Sequence, residues 1–116
     1  MNCSALIVTY NRLEKLKLTI ANTVKLNFTA IVVVNNGSTD GTQAWLATLS
    51  DPRVIVLNLP SNSGGAGGFK AGSQYLCDNV DSDWVFFYDD DAWPESDALE
   101  KFAQLEKANN AGDRKS

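Results

Sequence analysis

Four short apolar runs recur along the chain and predict four buried β-strands. They lie at residues 5–8, 30–34, 54–57 and 84–88. A continuous apolar run of this length is typical of a strand that is buried on both faces, as in a parallel sheet. The second run is rich in valine, a β-branched residue that favours strands.

Helix signals follow each of these runs. Asn11 with Glu14, and Asp40 with Gln43, have the spacing of an N-cap and its capping-box partner. The predicted helices cover residues 11–24, 44–49, 70–79 and 97–105. The last of them has its apolar face at Leu99, Phe102, Ala103 and Leu105.

Strands that alternate with helices predict an α/β fold. We expect a three-layer α/β/α arrangement around a mainly parallel sheet, with right-handed crossovers. Residues 1–110 form one domain in this interpretation, and residues 111–116 a polar tail where the domain is truncated. In such sheets ligands bind beyond the carboxyl ends of the strands. The most unusual residues of the chain follow the predicted strands at that edge.

Composition and charge exclude several classes of function. The 116 residues carry a net charge of −4, which argues against nucleic acid as a partner. The chain has no histidine, so Ser-His-Asp catalysis and histidine-ligated zinc are excluded within it. We expect Cys3 and Cys77 to be reduced, as in a cytoplasmic protein. The sequence contains no signal-peptide pattern and no apolar stretch long enough to span a bilayer.

Three consecutive aspartates follow the fourth predicted strand. In an extended segment Asp89 and Asp91 point the same way and Asp90 points elsewhere, because side chains alternate along a strand. Such a pair of carboxylates suits a hard divalent cation, Mn²⁺ or Mg²⁺, with positions left for phosphate oxygens. The alternative is a solvated turn that leads into the next helix.

A glycine-rich segment at residues 62–68 follows the third predicted strand. It lacks the Gly-Lys-Ser/Thr of a P-loop and the spacing of a dinucleotide-binding turn. We interpret it as a loop, either a flexible surface segment or one whose glycines let the backbone approach an anionic ligand.

Four segments in this order resemble family 2 glycosyltransferases, which have the GT-A fold. They lie at residues 8–12, 33–42, 62–69 and 89–94 and read VTYNR, VVNNGSTDGT, NSGGAGGF and DDDAWP. The resemblance covers about residues 4–105. The glycine-rich segment is most similar to the rhamnosyltransferase and galactofuranosyltransferase branch.

The resemblance implies a nucleotide-sugar donor, UDP- or dTDP-linked, and inverting transfer to a hydroxyl of a glycan or lipid-linked acceptor. It implies that Asp91 is the metal ligand with Asp89 as its partner, and that Asn36 reads the edge of the base where many members have aspartate. The residues that we assign to the nucleotide sugar are Thr9, Tyr10, Arg12, Asn36, Gly65, Gly67, Lys70 and Asp90.

Family members continue beyond this length, with strands that hold the acceptor and a carboxylate general base. No residue here matches the motif of that base, so we expect a donor-binding part that is inactive alone. A non-catalytic nucleotide-binding module and a phosphoryl-transfer domain are the alternatives. We expect a cytoplasmic location and a role in polysaccharide synthesis. Association of the full-length protein with the inner face of a membrane, and self-association through exposed apolar surface, stay open.

Overall fold

A computed structural model describes residues 2–61, 64–80 and 82–89. Within these ranges the chain forms four strands and three helices in strict alternation. In chain order the elements are β1 (Cys3–Thr9), α1 (Leu13–Thr23), β2 (Ala30–Asn36), α2 (Thr42–Leu46), β3 (Val54–Leu59), α3 (Gly64–Asn79) and β4 (Trp84–Asp89). The predicted fourth helix and the polar tail lie outside the described residues.

The four described strands form one sheet in the order β3-β2-β1-β4, and every neighbouring pair is parallel. The two central strands are buried along almost their whole length, which explains why their sequences are continuously apolar. The predicted parallel α/β fold is confirmed. At its carboxyl end each strand extends one or two residues beyond the apolar run that predicts it, because backbone pairing continues into the polar residues, and β1 also begins two residues earlier, at Cys3.

Helices cover both faces of the sheet. On one face Ile7, Ile31 and Val33 form a core with Leu16 of α1 and Leu46 of α2. On the other face Leu6, Val32 and Val34 pack with Leu76 of α3. Alternate residues of each strand thus supply opposite cores, and the predicted three-layer arrangement is confirmed.

The glycine-rich segment differs from its prediction. We expected a loop with a helix from residue 70, but α3 already begins at Gly64. The reason is tertiary packing: a Cβ atom at Gly68 would lie 2.7 Å from Cγ1 of Val8, and one at Gly72 would overlap Leu6. Because both glycines lack that atom, α3 lies close against the sheet, and this packing overrides the low helix propensity of glycine.

The predicted capping box at Asn11 is wrong. The residue that precedes α1 is Arg12, and no side chain of its own segment caps the helix. Asn11 adopts a left-handed backbone with φ 52°. Asp40, from the loop after β2, instead accepts a hydrogen bond from the Leu13 amide at 3.2 Å. A long-range contact therefore replaces the local one.

Arg53 connects several segments at the edge of the sheet where the parallel strands begin. Its guanidinium group donates to the backbone carbonyls of Val24 and Leu26 at 2.6 and 2.7 Å, and to Oδ2 of Asp51 at 2.8 Å. It thereby supplies donors to carbonyl groups just beyond the end of α1, where the helix itself supplies none.

Cys3 and Cys77 are both free thiols, the first buried and the second exposed. None of the described helices is long and apolar enough to cross a membrane.

Candidate functional site

The carboxyl ends of the strands bring the predicted site residues to one edge of the sheet. Thr9 is paired with Asn35 across β1 and β2, and Val8 is paired with Asp89 across β1 and β4. Thr9 and Asn36 are both almost completely buried. The three segments that follow β1, β2 and β4 therefore begin side by side, as a ligand site at this edge requires.

A chain of hydrogen bonds fixes the ends of β2 and β3 relative to the loops. The side-chain nitrogen Nδ2 of Asn35 donates to Oδ1 of Asn58 at 2.9 Å. Oδ1 of Asn35 accepts from the backbone amide of Ser38 at 3.2 Å. Ser38 Oγ in turn accepts from the Asn11 amide at 3.0 Å. The Asn11 side chain accepts from the Thr39 amide at 2.7 Å. The loops after β1 and β2 are thus held as one unit.

Asp40 continues this unit to the starts of two helices. Its Oδ2 accepts from the Leu13 amide of α1, and its Oδ1 accepts from the amide and hydroxyl of Thr42 at 3.2 and 2.5 Å. The hydrogen bond from the Thr42 side chain is the main cause that lowers the pKa of Asp40. The predicted cap pair of Asp40 with Gln43 is therefore wrong: Gly41 is the residue that precedes α2, and Asp40 instead accepts hydrogen bonds from Leu13 and Thr42. Gly41 between them has φ 92°, a conformation that favours glycine.

The first turns of α3 lie over the end of β2. Gly68 packs against Val8, and the Nδ2 atom of Asn36 would lie 3.6 Å from a Cβ atom at that glycine. Gly65 and Gly67 belong to the same first turns, and the Lys70 side chain is exposed just beyond them. The amide groups that open this 16-residue helix are therefore at the same edge as Thr9 and Asn36.

The remaining predicted residues divide into two groups. Tyr10 is 42% exposed and Arg12 is also exposed, so both lie at the surface of the loop that leaves β1. Asp89 ends β4 beside β1, but Asp90 and Asp91 lie outside the described residues. The part of the site that would hold a metal is consequently described only as far as the backbone of Asp89.

The chemistry of the acidic segment fits a divalent cation. Carboxylate oxygens are the ligands that Mg²⁺ and Mn²⁺ take, and the segment starts at the edge where the other site residues meet. The described residues alone contain no cluster of three or more acidic, cysteine or histidine side chains that could hold a metal.

Three residues that organise this edge were not predicted from the sequence. Asn58 and Ser38 hold Asn35, and Asn11 joins the two loops. Asparagines clustered after successive strands were a usable signal, since their side chains both donate and accept. Their pairing, however, depends on the register of the strands, which the sequence pattern does not give.

Several solved structures resemble this chain. The crystal structure of S. aureus TarS residues 1–349 superposes with a TM-score of 0.72 at 25% identity, over 95% of this chain and 33% of that one. TarS 1–349 in complex with UDP-GlcNAc gives 0.74 at 22%, over 95% and 32%. The mannosyltransferase PcManGT from Pyrobaculum calidifontis, in complex with GDP-Man and Mn²⁺, gives 0.70 at 23%, over 84% and 30%.

These similarities confirm the GT-A fold. The chain spans about a third of the length of the chains in these three structures. A search among curated proteins gave no significant match. Residues 4–113 match the profile of glycosyl transferase family 2. Because this match covers nearly the whole chain, and the fold and strand-end residues agree with it, the chain belongs to glycosyl transferase family 2.

Proposed function

We propose that this chain is the donor-binding part of a glycosyltransferase, and that it binds a nucleotide-diphosphate sugar at the carboxyl edge of its sheet. The observation that carries this proposal is the convergence of Thr9, Asn36 and Asp89 at neighbouring strand ends. Two of the structural neighbours were solved with nucleotide sugars, UDP-GlcNAc and GDP-Man, which supports the same class of donor here.

The nucleoside would lie against the ends of β1 and β2. Thr9 and Tyr10 border the base in this proposal, and Arg12 lies near the nucleotide. The exposed Tyr10 ring offers a face for stacking. The carboxamide of Asn36 offers both a donor and an acceptor for the edge of the base.

The diphosphate would lie between the start of α3 and the acidic segment. The first amides of α3 have no partners within the helix, and helix N-termini favour anions. Gly65 and Gly67 allow close approach there, and Lys70 and Asp90 complete the contacts to the nucleotide sugar. Asp89 and Asp91 would hold a divalent metal, Mn²⁺ or Mg²⁺. When bound, the metal would offset the charge of the diphosphate leaving group.

Calorimetry with UDP, dTDP and GDP, with and without Mn²⁺, tests this function. We expect binding of at least one nucleotide that strengthens with Mn²⁺, and we expect Asp91→Asn to abolish the strengthening. Asp83→Asn is the matched control, because Asp83 accepts from the Asn2 amide next to the opposite end of β4. A folded chain that binds none of the three nucleotides would refute the proposal.

The reaction of the whole protein belongs to the same proposal. We propose inverting transfer to a glycan or lipid-linked hydroxyl in polysaccharide synthesis, on the cytoplasmic side of a membrane, with rhamnosyl or galactofuranosyl donors as the first to test. The general base would lie outside this chain, so the 116 residues alone should bind donor without transferring sugar. Sugar transfer by the isolated chain would contradict that part of the proposal.

A phosphoryl-transfer domain finds little support in this arrangement. It would need a nucleophilic aspartate after an early strand. The first two strands instead end in Thr9 and in Asn36, which carry no carboxylate. Absence of labelling by acetyl phosphate is therefore the expected result.

A further inference from the structure

Asn58 interrupts an otherwise apolar strand. β3 reads VIVLNL, and its asparagine is exposed. Asparagine is among the residues that strands favour least, so its place here points to a role outside β3. The neighbouring strand shows the contact that it makes. Asn58 is paired with Asn35 across β3 and β2, and its Oδ1 accepts a hydrogen bond from Nδ2 of Asn35 at 2.9 Å.

The side chain of Asn35 can make its two contacts in one orientation only. Its Oδ1 accepts from the backbone amide of Ser38 at 3.2 Å, and a backbone N–H can only donate. The nitrogen of Asn35 must therefore face β3, where it needs an acceptor. Because Asn35 is only 2% exposed, loss of that acceptor would leave a buried donor unpaired. Oδ1 of Asn58 is the acceptor that the structure provides.

The hydrogen bond from Ser38 to Asn35 closes a short turn that contains Asn36. The turn runs through Asn36 and Gly37, and Gly37 has φ 79°. Successive side chains of β2 point to opposite faces of the sheet. Asn35 lies on the face of α1 and α2, whereas Asn36 lies on the face of α3, beside Gly68. A contact on one face of the sheet thus holds the backbone that carries the proposed base contact on the other face.

We infer that Asn58 is a positioning residue for nucleobase selection, which acts through Asn35 to hold Asn36 in the orientation that distinguishes one base from another. A carboxamide must present its donor and its acceptor to the base at defined positions, and a rotation at the end of β2 would displace both. The inference rests on the proposed function, since it requires a nucleotide at this edge of the sheet.

Base discrimination, measured by calorimetry on the full chain, tests this inference. UDP, CDP and GDP with Mn²⁺ share the ribose, the diphosphate and the metal, so the ratio of the strongest to the weakest affinity isolates the contact with the base. The series dTDP, dCDP and dGDP replaces them if dTDP binds and UDP does not. Asn58→Leu removes the acceptor, and we expect the ratio to fall about 3- to 10-fold, as one net hydrogen bond is worth.

Two further substitutions at the same position make this test specific. Asn58→Asp keeps an acceptor oxygen, so its ratio should stay within about 2-fold of that of the unmodified chain. The added charge acts on all the nucleotides alike and cancels in the ratio. Asn58→Ala removes the acceptor with a smaller side chain and should reproduce the result of Asn58→Leu, which covers the case in which the leucine variant fails to fold.

Amide hydrogen exchange measures the same coupling without a nucleotide. The Ser38 amide should exchange about 3- to 10-fold faster in Asn58→Leu than in the unmodified chain, because Asn35 no longer holds its orientation. In Asn58→Asp the exchange should stay slow. Asn79→Leu is the matched control, since it replaces another exposed asparagine, whose side chain donates to the Tyr75 carbonyl at the far end of α3. It should change neither the exchange of Ser38 nor the ratio of affinities.

The possible outcomes separate the inference from the proposed function. If the unmodified chain binds no nucleotide, the proposed function fails and the inference fails with it. Three results would overturn the inference while the proposed function stands: equal affinity of the unmodified chain for all the nucleotides, an unchanged ratio or unchanged Ser38 exchange in Asn58→Leu and Asn58→Ala, or an Asn58→Asp variant that loses discrimination as fully as Asn58→Leu.

Discussion

The amide of Thr39 donates a hydrogen bond to Oδ1 of Asn11 over 2.7 Å, although the two residues are 28 positions apart in the chain. This contact joins the loop after β1 to the loop after β2. A second contact, from the Asn11 amide to Ser38 Oγ at 3.0 Å, runs between the same loops in the opposite direction. The edge of the sheet that carries the candidate site is thus held by reciprocal bonds between two loops.

Two replacements of Asn11 should separate the contribution of its side-chain contact to stability from the contribution of its backbone conformation. Asn11→Gly accepts φ 52° freely but loses the bond to Thr39, and we expect it to lower the free energy of unfolding by about 1 kcal/mol. Asn11→Ala loses the same bond and also strains the backbone, which adds about 1 kcal/mol. Urea denaturation of both variants measures the two effects. An Asn11→Gly variant as stable as the unmodified chain would show that the contact contributes nothing.

The elements of the fold could be predicted from the sequence because their signals are local. The valines of β2 and the apolar repeat from Leu13 through Leu16 to Ile20 depend on nothing outside their own segment. Alternation of such signals then restricts the sheet to a parallel arrangement. The strand order could not be read in this way, because it depends on contacts between distant segments.

The start of α3 and the role of Asn11 could not be predicted, for the same physical reason. A run of glycines favours a loop by local propensity, and only the surface of β1 beneath Gly68 and Gly72 explains why it is helical. Asn11 has the local pattern of an N-cap, but its partner Thr39 comes from the next loop. Contacts between distant segments determine both the start of α3 and the role of Asn11.

Gly72→Ala should destabilise the chain, although the same change in an exposed helix stabilises it. Alanine favours a helix over glycine by about 1 kcal/mol. At Gly72, however, the added methyl group would overlap Cδ1 of the fully buried Leu6 and come within 3.1 Å of Cγ2 of Val34. We expect a net loss of about 1–3 kcal/mol in thermal or urea denaturation.

A double variant provides the control for that clash. Leu6→Ala removes the overlapped atom, so Gly72→Ala should cost less in its presence than alone, as a double-mutant cycle measures. If the two changes are instead additive, the close approach of α3 to Leu6 is not the cause of the loss.

Arg53→Lys should destabilise the chain without weakening nucleotide binding. Lysine keeps the positive charge but cannot contact Val24, Leu26 and Asp51 at once, as the guanidinium group does. We expect a decrease of about 1–3 kcal/mol in the free energy of unfolding. Because Arg53 immediately precedes β3, at the edge opposite the candidate site, nucleotide affinity should not change. Lys25→Ala, at an exposed cation nearby, is the control and should be nearly neutral.

The ion pair of Asp51 with Arg53 should contribute a distinct pH dependence to stability. Hydrogen bonds from the Arg53 side chain, then from its backbone amide, lower the pKa of Asp51 from 3.8 to about 2. Because the folded-state pKa is lowered, the contribution is fully present above pH 3.8 and is lost as the pH falls toward about 2. Asp51→Asn should therefore be less stable than the unmodified chain at neutral pH, and the difference should shrink across that window.

Urea denaturation at a series of pH values measures this difference directly. Asp78→Asn is the matched control, since it removes the same charge from an exposed position of α3 where the carboxylate accepts from Gln74. The lowered pKa of Asp40 adds its own loss of stability in acid, but that loss is common to all three chains and cancels in the comparison. A stability difference between Asp51→Asn and the unmodified chain that stays constant down to about pH 2 would contradict the assignment, because a carboxylate with a folded-state pKa of about 2 must lose its advantage there.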